Sequence, residues 1–81
     1  AETTTSKAEK YMEKAITTLF AFQKTGGSIP EYIIDRMKLS LAKHEEVISE
    51  MLVSASDAQK NGLTESITRV HQLQEQVKEL K

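Results

Sequence analysis

From Ile34 to Ala55 the sequence keeps one register. Ile34, Met37, Leu41, Ile48, Met51 and Ala55 recur at steps of three and four, with Ile33, Val47 and Leu52 beside them. A histidine, His44, stands where the next apolar residue is due. Steps of three and four mark one face of an α-helix; a strand alternates with period two. A stripe this long is stable only when other apolar surface covers it. A chain of 81 residues must therefore supply further helices, or recruit a second copy of itself.

Two more stripes supply that cover. Ala8, Met12, Ala15, Leu19 and Phe22 repeat at helical spacing, widened by Tyr11 and Ile16. Ser6-Lys7-Ala8-Glu9 before them fits a capping box, and Thr25-Gly26-Gly27 after them suits a helix C-terminus. Ser28-Ile29-Pro30-Glu31 repeats the start pattern, with proline tolerated in a first turn. Near the end, Leu63, Ile67, Val70, Leu73, Val77 and Leu80 form the third stripe. The second segment can stop at Ser54-Ala55-Ser56-Asp57 or run on towards Asn61-Gly62, which punctuates strongly.

The pattern predicts an all-α fold, an antiparallel up-down-up three-helix bundle with helices near residues 6–25, 29–56 and 63–81. Its rival is a helical dimer that completes its core by association. Residues 1–5 are expected to form a flexible tail. The start at alanine and the uncapped last segment read as a domain excised from a longer protein.

Composition narrows the functional classes. Cysteine is absent, which removes disulfides, thiolate metal sites and cysteine nucleophiles. Eleven basic and twelve acidic residues are interleaved, so there is no basic footprint for nucleic acid. No apolar run approaches the length that spans a bilayer. Lys7, Lys10 and Lys14 are balanced by Glu9 and Glu13, which argues against membrane docking through the first segment and its Phe20.

His44 is the one residue that suggests chemistry, and its spacings fail. Zinc proteases need a second histidine four residues on, where Ile48 stands. Di-iron bundles need glutamate three residues before histidine; Leu41 and Thr68 precede His44 and His71. Glu45 and Glu46 are adjacent, so they diverge by about 100° on a helix. Gly26-Gly27-Ser28 lacks the lysine of a phosphate loop. Ser6, Ser28 and Ser66 show no base and acid arrangement. The expectation is a non-enzymatic domain with no catalytic, cofactor or metal residue. His44 is then a partly buried imidazole bonded to a neighbour, with loosening of the bundle at mildly acidic pH as its one functional option.

The outer face of the second segment is more informative. Asp35, Leu39, Glu46, Glu50, Val53 and Asp57 fall opposite the apolar seam. Leu39, Glu46, Glu50 and Val53 are the predicted partner-binding residues: the apolar pair supplies contact area and the acids steer a basic protein surface. The plain alternative is a solvated acidic face. The function expected is a protein-interaction module with a scaffold or regulatory, adaptor-like role. A membrane-binding or small-ligand-binding bundle is a further alternative.

Three helices with outward acids on the middle one resemble BAG domains, chaperone regulators that engage Hsp70. The resemblance spans roughly residues 6–81 and implies that Glu46 and Glu50 contact the chaperone. It also implies a basic contribution from the last helix, where Arg69 stands. The Arg-Lys pair of that family is replaced here by Leu63-Thr64 or Thr64-Glu65.

Overall fold

A computed structural model describes residues 4–80. Three helices fill it: α1 (Thr4–Lys24), α2 (Glu31–Val53) and α3 (Asp57–Lys78). No strand occurs among the described residues. The start of α1, the end of α2 and the start of α3 meet around one groove at one end of the molecule. The helices therefore run up, down and up. The three-helix bundle is the observed fold, and it encloses its core within one chain.

Buried core residues come mainly from two helices. Ile34, Leu41 and Ile48 of α2 face Val70, Leu73 and Val77 of α3, with Leu80 and Ile29 closing the same cluster. Only Ile16 of α1 joins them as a buried apolar residue. Accordingly α2 packs most extensively on α3, and α1 leans on α3 more than on α2. The seam read from the sequence holds at its centre. At its margins Val47 and Met51 are exposed, because α1 packs only lightly on α2.

In α1 the buried face is turned from the expected stripe. It runs through Glu9, Met12, Ile16, Leu19 and Phe20, while Tyr11 and Phe22 face solvent. Phe22 has a different task. The Gly27 N–H donates to the Phe22 carbonyl and the Gly26 N–H to that of Gln23, both at 3.0 Å. This is a Schellman closure, with Gly26 at φ 89°. The Phe22 ring lies over Gly27 where a Cβ would sit, supplying the contact that accompanies such closures.

Several expected boundaries move. Thr4 and Thr5 belong to α1, against the expected tail over residues 1–5; residues 1–3 lie outside the described residues. Ser6 lies within the first turns, and Glu9 turns inward instead of capping. Pro30 is itself the N-cap of α2, its carbonyl accepting from the Ile33 N–H at 3.1 Å. The largest shift is in α3, which starts at Asp57 and carries Asn61 and Gly62 in its interior. Gln59 decides this. Its side-chain oxygen accepts from the Ser56 N–H at 3.1 Å, as in a capping box, and Asp57 favours the positive end of the helix dipole. Those gains offset one interior glycine, which costs about 1 kcal/mol.

Candidate functional site

The four residues predicted to bind a partner all lie on the solvent side of α2. Leu39 is 58% exposed and Val53 88%, and both glutamates are exposed. Their helix turns Leu41 and Ile48 inward, so the same geometry that builds the core sets these side chains outward. Tyr32, the second residue of the helix and 65% exposed, adds a third large apolar residue to this side. The sequence reading missed it, although it lies seven residues before Leu39. Asp57 does not belong here: it opens α3 and pairs with Lys60 at 3.8 Å.

The acids of this face are unpaired. Asp35, Glu46 and Glu50 have no ion pair among the described residues, although Lys43 stands one turn before Glu46, and Glu46 and Glu50 sit one turn apart. Like charges at that spacing destabilise a helix by about 0.2–0.5 kcal/mol. Glu45 behaves differently from its neighbour. It turns to α3, where it accepts from Gln74 Nε2 at 3.1 Å and lies 3.3 Å from His71 Nε2. One of two adjacent carboxylates ties the bundle together, and the other is left to solvent.

A second polar feature lies inside the bundle. Glu9 is 3% exposed, and its carboxylate joins all three helices. One oxygen accepts from Arg69 Nε of α3 at 2.6 Å, and the other meets His44 Nε2 of α2 at 3.0 Å. Arg69 also donates to the hydroxyl of buried Ser66 at 2.9 Å. A carboxylate accepts only, so the proton on His44 sits at Nε2.

The order of contacts also bears on catalysis. It runs Ser66, Arg69, Glu9, His44. The hydroxyl and the imidazole are at opposite ends, whereas acyl transfer needs them in contact. Ser66 is buried besides. The cluster holds helices in register, and Glu9 was hidden in the sequence because Ser6-Lys7-Ala8-Glu9 has the form of a cap. Its place seven residues before Ile16 was the available clue.

The groove at the shared end of the helices has a volume of about 670 Å³ and is lined by Met51, Ala55, Ala58, Leu63, Ser66 and Arg69 among others. That size suits a small ligand. Of its polar residues, Ser66 and Arg69 bond each other and Arg69 bonds Glu9, while Thr5, Ser6, Ser54, Gln59 and Glu65 also line it. Arg69, the basic residue implied by the resemblance to BAG domains, bonds Glu9 and Ser66 while its side chain stays partly open to solvent. Among the described residues no helix is long and apolar enough to cross a membrane. Comparison with protein-family models, curated proteins and solved structures finds no match to this chain.

Proposed function

We propose that this domain is a non-enzymatic protein-interaction module with a scaffold or regulatory role, and that it binds a basic protein surface through Leu39, Glu46, Glu50 and Val53 of α2. One observation carries this reading: two uncompensated carboxylates one turn apart lie between exposed Leu39 and Val53. Among the described residues, Glu9 and Glu45 have partners within the chain, whereas Glu46 and Glu50 have none, as is also true of Glu13, Glu31, Glu65 and Glu79. A cation brought by another protein relieves the repulsion, and the apolar pair supplies surface to bury.

The test compares the parent with a Leu39→Ser, Val53→Ser double variant in affinity capture, followed by binding measurements on the captured protein at two salt concentrations. The expected result is loss of capture at unchanged melting temperature. Glu46→Lys with Glu50→Lys should slow association and weaken its salt dependence. Equal capture by all variants would move the interaction off this face.

A further inference from the structure

The second helix carries two lines of side chains at seven-residue spacing. Ile34, Leu41 and Ile48 form the buried one. Tyr32, Leu39, Glu46 and Val53 form the other, displaced by two residues, which is about 200° around a helix. Its three apolar members are the large exposed residues of the outer face. A seven-residue repeat drifts only about 20° per repeat, so such a line stays straight enough for one neighbouring helix to follow it.

The intervening seam positions strengthen this geometry. Three residues after each of the first three members come Asp35, Ala42 and Ser49, all exposed. Ala42 and Ser49 are small, which leaves room for another helix to approach between the larger residues. The seam itself bears two carboxylates, Asp35 and Glu46, and no cation, with Glu50 one turn beyond Glu46. Arg36, Lys43 and Glu50 flank it on one side, and Glu31, Lys38 and Glu45 on the other. A charged residue within such a seam fixes register, because its partner helix must place the opposite charge across from it.

Resting on the reading of α2 as the interaction face, we propose that the partner is itself an α-helix that packs along this seam as a fourth helix of the bundle. It is apolar at seven-residue spacing, carries lysine or arginine facing Glu46, and has a mixed-charge flank where it meets Arg36 and Lys43. From Tyr32 to Val53 the seam covers about 32 Å at about 1.5 Å per residue, so the docked helix has about six turns.

Three synthetic, fluorescently labelled 22-residue peptides test this on the full chain by anisotropy. The first has leucine at seven-residue spacing with lysine at the central seam position. The second replaces the lysine with glutamate, and the third scrambles the first. The matched peptide should bind at least tenfold more tightly than either control, and Glu46→Lys should invert the preference between the two charged peptides. Equal binding of matched and scrambled peptides overturns the proposal. So does absence of binding by every peptide while Leu39→Ser, Val53→Ser still abolishes capture of a cellular partner; the interaction face then survives and its helical occupant does not. If that double variant leaves capture unchanged, the face itself fails and the proposal falls with it.

Discussion

Removing the Glu9 carboxylate is the perturbation with the largest expected effect outside the apolar core. Glu9→Ala withdraws the acceptor shared by Arg69 and His44. Deleting one partner of a buried ion pair costs about 3–5 kcal/mol, chiefly because the other charge is left unsolvated. Here the Arg69 side chain is 44% exposed and keeps Ser66, so water recovers part of that loss. His44, only 13% exposed, recovers little. The expectation is therefore the low end, about 3 kcal/mol. A domain of this length has a total stability of about 4–12 kcal/mol. At about 4–8 °C per kcal/mol the melting temperature should fall by roughly 12–24 °C. Thermal and urea unfolding followed by far-ultraviolet circular dichroism measure it. A cycle with Arg69→Ala should return a coupling of about 1–3 kcal/mol. Glu9→Gln should cost less, because its amide can donate to His44 once the ring proton moves to Nδ1, while its carbonyl still accepts from Arg69. A melting temperature for Glu9→Ala within about 2 °C of the parent would refute the cluster as a structural tie.

Three further substitutions separate roles that lie close together in the chain. Gly62→Ala should stabilise by about 0.5–1 kcal/mol, since the position is helical and nothing stands within 4 Å of an added Cβ; an unchanged or lowered urea midpoint would contradict the start of α3 at Asp57. Gly26→Ala should destabilise by about 1–2 kcal/mol, because its φ of 89° is left-handed. Leu41→Ala should cost about 2–5 kcal/mol while Leu39→Ala stays within about 0.5 kcal/mol, and reversal of that order in thermal melts would mean that α2 is rotated about its axis.

Which features were legible in the sequence follows from their range. The stripe of α2 was readable because helical periodicity is local, and Ile34, Leu41 and Ile48 are buried as their spacing demands. The outward position of Leu39 and Val53 follows from the same arithmetic. Glu9 was not readable, because a serine-to-glutamate step of three describes a cap as well as it describes a buried acid. Choosing between them requires Arg69 and His44, which lie 60 and 35 residues away. The start of α3 was misplaced for a local reason. Ser56 and Gln59 form a capping pattern, but Asn61-Gly62 was the more conspicuous punctuation, and a glycine inside a helix costs too little to stop one already capped. Tyr11 and Phe22 were assigned to the core side by helical spacing, but the buried face through Glu9, Met12 and Ile16 leaves both exposed.

The central claim is that α2 folds the domain with one face and binds with the other. It is tested most directly by amide chemical-shift mapping of the isotope-labelled full chain, titrated with the protein that the parent captures and the Leu39→Ser, Val53→Ser variant does not. Perturbations should concentrate on α2 between Tyr32 and Val53, at residues on the outer line, with α1 and the α2–α3 core nearly unmoved. Perturbations centred on α1, or on the groove beside Arg69 and Leu63, would contradict the account.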